Sequence, residues 1–532
     1  MKLVKYISIA SLISGLLMLS SCSDFLDINV DPNNPTDSPV TLLLPSAEVS
    51  LGGYLGFATT GLGFVPSAYV HYLSPRRSGL TDYSVTGTNF EIEVPWAGFY
   101  TATLPDLEQV ITKGEEDGNL IYAGIGKILK AYTFSIMVDV WGDVPFSDAS
   151  QGTDVLFPNF DKGEDIYPAL ISLINDGIAN LSDGSGLRPG ADDIFYNGDT
   201  GKWIRFANTL KLKMYNQVRM VQNVESEVAA LINDDNMIGP GDDFELPYGT
   251  NQSPLDQNPA FNNEYSGGPS YVSIFLYEML TGKSSDNPIY SGISDPRLPY
   301  YFYNQLANGA AAQNPTAYRD GDFVSIYMFS FNIDPNEGFD QAQSKTVVGL
   351  YPVGGKYDDG SGQIVTLNSG AGNVAQRLLP YFSHLYIRAE LAVTGVTNEN
   401  ARDLFESGVQ ASFDKVNAIA ANASAPRIDQ TEIDAYIAEV LSRYDAADAA
   451  GKLEHIMTQK WLASFGFAID PYTDYRRTGY PVLFDGNLDT NPNTKRGREY
   501  PVSLPYSASN LNVNPNAPSQ RVIANDKVFW DN

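Results

Sequence analysis

Cys22 is the residue whose chemistry its neighbours define most sharply, and it is the only cysteine in the 532-residue chain. It follows Leu19-Ser20-Ser21, behind an apolar run from Tyr6 to Leu19 and the basic residues Lys2 and Lys5. An apolar run this short, with basic residues before it and small ones after it, reads as a cleaved signal and not as a membrane span. A cysteine directly after small residues is what a lipoprotein signal peptidase requires. Its thiol accepts diacylglycerol, and cleavage frees its amine for a further acyl chain. Read instead as an ordinary secretory signal, the segment would leave Cys22 an incidental thiol without a disulfide partner. One acyl chain holds a protein only marginally, whereas two or more anchor it stably. Residues 1–21 are therefore expected to be a signal peptide. Residues 22–39, rich in Asp, Asn, Pro and Ser, are expected to be a lipidated extended leader.

The remaining chemistry is sparse. Hydrolysis by paired carboxylates needs two acids in one cleft with their pKa values pushed apart. With 63 acidic residues, pairs such as Asp242-Asp243 and Asp358-Asp359 arise by chance, and both stand in turn-like, glycine-rich sequence. No Gly-x-Ser-x-Gly elbow occurs, and histidine chemistry has only His71, His384 and His455 to draw on. Three scattered histidines without a mature free thiol lack zinc-ligand spacing. Lys356 follows Gly354-Gly355 but leads into no helix pattern, and Gly360-Ser361-Gly362 has neither, so these turns do not read as phosphate cradles.

Two features keep alternatives open. Asn332, Asp334, Asn336 and Asp340 offer oxygen ligands at alternating positions, but Gly338 falls one place late for an EF-hand loop. The run is either a calcium loop or an Asx-rich turn. Arg476 and Arg477 either clamp a carboxylate bidentately or satisfy carbonyls at the end of the preceding helix. No catalytic residue is expected, and no cofactor beyond that calcium.

Charge narrows the partners. Cleavage of the signal takes Lys2 and Lys5 from 34 basic residues and none of the 63 acidic ones, moving the formal charge from −29 to −31. Such a field repels phosphate backbones and argues against nucleic acid. With 43% hydrophobic and 12% aromatic residues the chain can bury a substantial core.

Apolar residues at helical spacing dominate two blocks. In the first, Glu93 to Lys113, Leu120 to Val140, Asp165 to Leu181 and Thr200 to Met220 read as helices, with Trp96 and Trp203 on core stripes. In the second, Tyr381 to Val393, Asn398 to Val416, Thr431 to Tyr444 and Lys452 to Phe465 do the same. Trp141-Gly142-Asp143 reads as a helix stop, with glycine in a left-handed C-cap and Pro145 preventing continuation. Short polar turns between the helices suggest a helical-repeat scaffold, without a clean repeat period. The expectation is one unit over 40–532. Its helical scaffold covers 40–233 and 373–480, with a loop-rich insert at 234–372 and an irregular segment at 481–532.

The loops crowd Gly, Pro, Asn and Tyr, with one short helix from Tyr271 to Leu280. Loops this long in a compact protein are usually functional. A sugar has apolar C–H faces and hydroxyl edges, so its receptor needs aromatic faces beside amide, carboxylate and guanidinium groups. That mixture occurs at Tyr72, Arg76, Arg77 and Tyr83, at Asn262, Asn263, Tyr265 and Tyr271, and at Tyr300. These nine are the candidate ligand-binding residues.

Several segments together resemble the SusD/RagB family. They are Ser21-Cys-Ser-Asp-Phe-Leu-Asp27 with Asp31-Pro-Asn-Asn-Pro35, and Ala131 through Asp139-Val-Trp-Gly-Asp-Val-Pro-Phe146. Asp295-Pro-Arg-Leu298, Ala389-Glu-Leu-Ala392, Gln459-Lys-Trp-Leu462, Asp474-Tyr-Arg-Arg-Thr-Gly-Tyr-Pro481 and Arg498-Glu-Tyr-Pro501 complete the set. The resemblance implies a mostly α fold of tetratricopeptide-like helix pairs with a looped subdomain. It implies a non-enzymatic lipoprotein on the outer face of an outer membrane, sitting as a hinged lid on a SusC-like, TonB-dependent barrel. The implied ligand is an oligo- or polysaccharide or, in a documented exception class, an oligopeptide. A carboxylate-based glycoside hydrolase and a purely structural lid are the competing readings. The family places ligand contacts in loops after the first helix and within the insert, without a residue motif there.

Overall fold

The computed structural model describes residues 38–75, 83, 85–268, 270–316, 318–328, 341–483 and 500–531. Cys22, Arg76, Arg77 and the four oxygen-bearing residues Asn332, Asp334, Asn336 and Asp340 lie outside the described residues.

The chain is mostly helical, as its periodicity implies. The first helices are α1 (Val40–Leu55), α2 (Phe64–Tyr69), α3 (Phe90–Gly98), α4 (Leu104–Glu116), α5 (Leu120–Trp141), α6 (Gly163–Asp183), α7 (Thr200–Val218) and α8 (Glu225–Asp234). The stripe from Glu93 to Lys113 is not one helix. A π-helical turn, Phe99–Thr103, separates α3 from α4, and the Leu104 amide bonds back to the Phe99 carbonyl. Pro105 lacks the amide hydrogen that the Thr101 carbonyl needs, so the ladder widens by one residue there.

Helix α5 is apolar enough to span a bilayer, but 89% of its apolar window is buried inside the protein, so it is a core helix. It packs on α6 through two glycines. A Cβ on Gly124 would stand 2.8 Å from the Gly177 carbonyl oxygen, and one on Gly177 would stand 2.9 Å from the Gly124 oxygen. At the end of α5, Gly142 takes φ 79° with ψ −111°. The positive φ is the one expected, but the ψ lies outside the left-handed helical well. A side chain there would also meet the Arg521 guanidinium at 2.7 Å. Trp96 and Trp203 are core residues.

The insert carries α9 (Pro259–Tyr265), α10 (Ile274–Thr281), α11 (Leu298–Tyr301) and α12 (Leu350–Val353). The second block supplies α13 (Tyr381–Val393), α14 (Ala401–Asn422), α15 (Gln430–Ala446), α16 (Ala449–Ala463) and α17 (Ile469–Thr478), and α18 (Ala508–Val513) follows. Side-chain caps start several of these helices. Asn400 accepts from the amides of Arg402 and Asp403 to open α14, and Asp448 accepts from Gly451 to open α16.

Two-stranded antiparallel ladders stitch the insert down. Strand β1 (Leu73–Pro75) pairs with β3 (Ser270–Val272), and β2 (Phe244–Leu246) pairs with β8 (Gln376–Leu379). Strand β4 (Phe302–Tyr303) pairs with β7 (Val347–Val348), and β5 (Tyr318–Asp320) with β6 (Phe323–Ser325). The β2–β8 ladder closes the base of the insert where it leaves and rejoins the helices.

A buried ionic lattice joins the two helical blocks. Arg477 clamps both oxygens of Glu390 on α13 and donates to Asp474 Oδ1 at 2.6 Å. Glu390 also receives Arg219 at 2.9 Å and Asn216 Nδ2 at 2.9 Å. Lys460 reaches Asp474 at 2.8 Å, and Lys213 reaches Asp470 at 3.1 Å. Of the two readings of the arginine pair, the clamp holds for Arg477, and Arg476 satisfies carbonyls other than the ones expected. Arg477 is a bidentate carboxylate clamp, but of an internal carboxylate. Arg476 donates to the carbonyls of Asp139 and Val502, which end α5 and belong to the C-terminal segment, not to the helix before it. Burial holds the Asp474 carboxyl above its ordinary pKa. Burial, reinforced by the charge of Arg219, holds Arg477 well below its own.

Removing Arg477 leaves Glu390 with Arg219 and Asn216 and leaves Asp474 with Lys460, so two buried carboxylates each lose charge-assisted hydrogen bonds but not every partner. Arg477→Met is expected to lower the unfolding free energy by about 3–5 kcal/mol. Urea denaturation reads this directly, and a loss below about 1 kcal/mol, the range of surface pairs, would show the lattice to be dispensable.

Candidate ligand-binding site

The structure does not bring the seven described candidate residues together, and four of them are buried. Tyr72, Tyr265, Tyr271 and Tyr300 present no ring face to solvent. Tyr72 donates to the Trp461 carbonyl, Tyr265 to Val348 at 3.1 Å, and Tyr300 to Pro426 at 2.6 Å. Lys345 Nζ lies 5.3 Å from the centre of the Tyr271 ring. Asn263 donates to Thr59 Oγ1 at 2.7 Å, and Asn262 to Asn258 at 3.4 Å, both on α9. A tyrosine in Gly/Pro/Asn-rich sequence looks exposed. Here the hydroxyl finds a carbonyl and the ring joins the core, which satisfies both ends of the side chain.

Three such hydroxyls share one task. The last carbonyls of a helix have no intrahelical donors. At the end of α16 the carbonyls of Trp461, Leu462 and Ala463 accept from Tyr72, Tyr301 and Tyr351, the latter two at 2.9 and 2.8 Å. Arg377 and Gln376 then serve Phe465 and Gly466.

Tyr83 has a different setting. Where α2 ends, His71 adopts φ 58°, a left-handed conformation uncommon outside glycine. That turn brings His71 Nε2 within 2.8 Å of the Tyr83 hydroxyl. The Tyr83 ring lies 5.7 Å from Tyr69 and 5.5 Å from Tyr500 between centres, and Tyr475 lies 4.6 Å from Tyr500. Tyr69 and Tyr472 form the buried base of this cluster, while Tyr83, Tyr475 and Tyr500 are half-buried. Ala68 and Met328 pack against Tyr83. The face therefore draws on the segment after α2, the insert, α17 and the C-terminal segment.

Among the described residues the charged side chain recorded against these rings is Arg476, which stacks on the buried Tyr472 at 4.2 Å from the ring centre. Burial pushes His71 down to about 3, so it is neutral. It also raises the phenols of Tyr83, Tyr475 and Tyr500. The arrangement offers apolar ring faces with phenolic edges, which suits a neutral solute having one apolar and one hydroxylated side.

Tyr475 and Tyr500 were not among the candidates. They stand in the segments Asp474-Tyr-Arg-Arg and Arg498-Glu-Tyr-Pro, whose shared pattern reads as structural, and nothing local places them beside Tyr83.

Two hollows lie elsewhere. A groove of about 920 Å³ between α14 and α15 is walled by Asp403, Glu406, Asp414, Asp434 and Asp445 against a single Arg402. A cleft of about 510 Å³ holds Phe195 and Tyr381, but its Lys415 is engaged by Asp243 at 2.7 Å and Glu245 at 2.6 Å. The acidic pairs named above are likewise engaged. Asp242 receives Arg205 at 2.8 and 3.1 Å, and Asp358 receives Asn304 at 2.8 Å. Among the described residues no group of three or more His, Cys, Asp or Glu side chains gathers as a metal site.

Comparison with known proteins matches residues 63–507 to a family described as SusD-like, "starch-binding associating with outer membrane". Similar solved structures include a Bacteroidetes SusD-like protein, with TM-score 0.68, 19% identity, and coverage of 93% of this chain and 100% of that one. A SusD/RagB family protein from Bacteroides thetaiotaomicron gives TM-score 0.67 at 21% identity, covering 93% and 99%. A chitin-binding protein gives 0.65 at 20%, covering 93% and 100%. At these identities the likenesses establish the fold. No curated protein matches the sequence.

The imidazoles supply a pH test. Burial lowers His71 and His384 to about 3 and His455 to about 4, below the unfolded value near 6.5. The unfolded chain therefore gains protons at these rings as pH drops through 6.5, and the folded chain does not. Their contribution to stability is complete above pH 6.5 and is lost as pH falls toward 4. In the folded protein none of the three should titrate between about pH 5 and 8, as read by NMR of the ring carbons. A midpoint near 6.5 for His71 would show it exposed to solvent and free of its packed setting.

Proposed function

The chain belongs to the SusD/RagB-like family, and from that premise we propose that it is a surface-exposed, lipid-anchored receptor that captures a neutral oligo- or polysaccharide and passes it to a SusC-like, TonB-dependent barrel. The observation that carries the reading is the half-buried face of Tyr83, Tyr475 and Tyr500, contiguous rings over a buried base in which Arg476 stacks on Tyr472. The family's description as starch-binding and the likeness to a chitin-binding protein both support a sugar as ligand.

An oligopeptide is the second reading, since peptide termini seek charged partners, and the family's starch-binding description favours the sugar over it. Hydrolysis would need an acid and a base free to act, whereas Asp242, Asp243 and Asp358 are occupied by internal donors. Calcium at Asn332, Asp334, Asn336 and Asp340 would serve to order that segment, not to react.

Titration calorimetry against neutral glycans tests the face. Tyr83→Ala with Tyr500→Ala is expected to weaken binding by about tenfold or more, since each ring removes apolar contact area. Tyr72→Phe should leave affinity unchanged while costing about 1 kcal/mol of stability, because it removes one of two donors to the Trp461 carbonyl, which keeps the Ser464 amide at 3.2 Å. Equal affinity in the double variant and the unaltered protein would refute the face as the site.

The anchor is tested separately. Cys22→Ser is expected to abolish fatty-acid labelling and release the protein from the outer-membrane fraction. A variant that still fractionates with that membrane would mean the attachment does not run through Cys22.

A further inference from the structure

We propose a second sugar-binding pocket, remote in sequence from Tyr83, where the turn after α5 meets the π-helical turn and α18. It is a cavity of about 400 Å³, within the size range of small-ligand sites. Its apolar walls are the Tyr100 ring and Pro105, Pro145 and Pro158, and its polar groups come from Gln109, Asp148, Gln151 and Asn510.

Independent features converge on it. Tyr100 stands on the Phe99–Thr103 π-turn, and such turns are frequent at functional sites. Its hydroxyl donates to the Pro145 carbonyl at 2.9 Å, which fixes the ring and leaves its face to the cavity. Ser150, also on the lining, holds φ 61°, a left-handed conformation that costs a non-glycine residue about 1–3 kcal/mol. Asn510 Oδ1 is buried without a hydrogen-bond partner among the described residues. A buried acceptor left unpaired is costly, and turning the Asn510 amide into the cavity it lines lets a ligand hydroxyl remove that cost. At the rim, Leu156 is 68% and Phe157 48% exposed. Neighbouring large apolar residues this open mark an interaction surface.

The chemistry selects a neutral pyranose end. Tyr100 and the prolines suit the C–H face of the ring. Asp148 commits Oδ2 to Asn159 at 2.8 Å, leaving Oδ1 as an acceptor beside the Gln109 and Gln151 amides. Asp148 is the only charged residue on the wall, so uronic or sulfated sugars are repelled. The proposal shares the neutral-sugar reading of the Tyr83 face but not its residues, and the two can fail independently.

Saturation-transfer NMR on the full mature chain separates them, with maltotriose, cellotriose, xylotriose and chitotriose as probes and glucuronate as the anionic control. Transfer from at least one neutral probe should persist in Tyr83→Ala/Tyr500→Ala. It should fall about tenfold when Gln109→Ala/Asn510→Ala is added to that variant, where two ligand hydrogen bonds are lost. Gln109 is exposed on α4, so this variant retains the fold, as circular dichroism would verify. Transfer unchanged when Gln109→Ala/Asn510→Ala is added to the Tyr83 and Tyr500 variant, or already lost in that variant, overturns the pocket and leaves the tyrosine face standing. Absence of transfer from every neutral probe, or glucuronate transfer equal to theirs, overturns it as well.

Discussion

Buried polar groups must be paired, and the corner where α16 turns into α17 is where this protein meets that constraint most densely. A helix ending inside a protein leaves carbonyls without donors, and two lysines and three arginines lie nearby in the interior. Each is answered from a different part of the chain. Tyrosine hydroxyls from the start of the fold and from the insert take the carbonyls of Trp461, Leu462 and Ala463. Glu390 from α13 takes Arg477 and Arg219, and the carbonyl of Asp139 from α5 takes Arg476. The helical blocks and the insert are therefore not separable bodies. Removing either would leave donors or acceptors stranded in the other.

The same corner orients the tyrosine face. Along α17, Asp470, Asp474 and Arg477 recur at helical spacing and point into the ionic lattice. Tyr472 and Tyr475 fall between them and are turned toward Tyr69 and Tyr500. A helix held by several buried ion pairs cannot rotate without breaking them, so the rings it presents are fixed before any solute arrives. Preorganisation of this kind lowers the ordering cost of binding. The stacking of Arg476 on Tyr472, 4.2 Å from the ring centre, belongs to the same support.

How much of this was legible depended on the range of the interaction. Helices with an apolar stripe were read nearly to their ends, and Tyr381–Val393 matched at both. Helix α1 was missed because Pro45 and the run Ser50-Leu-Gly-Gly53 break its pattern, and packing alone pays for it. The π-turn was hidden inside a stripe that reads as continuous. For the site, composition located tyrosines but could not separate a ring whose hydroxyl caps a distant helix from one left at the surface. Tyr72 and Tyr83 come from the same stretch, yet Tyr72 bonds a residue 389 positions away. Tyr500 joined the face across an even longer interval, bonding the carbonyl of Tyr69 at 3.3 Å. Such pairings have no local signature.

The C-terminal segment ties the two proposed sugar sites to one rigid frame. From Tyr500 in the tyrosine face it runs past Leu504, whose amide bonds the Val140 carbonyl at 2.7 Å, and Pro505, whose carbonyl receives Trp141 at 3.0 Å. Tyr506 then stacks edge-on against Trp96, one turn from Tyr100, and Asn510 lines the pocket. Ten residues of even fully extended chain reach no more than about 36 Å. Two weak sites held this close on an immobile support act on a polymer as one strong one, because engagement of the first raises the effective concentration at the second. A body with a formal charge of −29 gains nothing from electrostatic steering of an uncharged glycan. Spacing of apolar faces, not field, is then the means left to it for holding a long neutral chain.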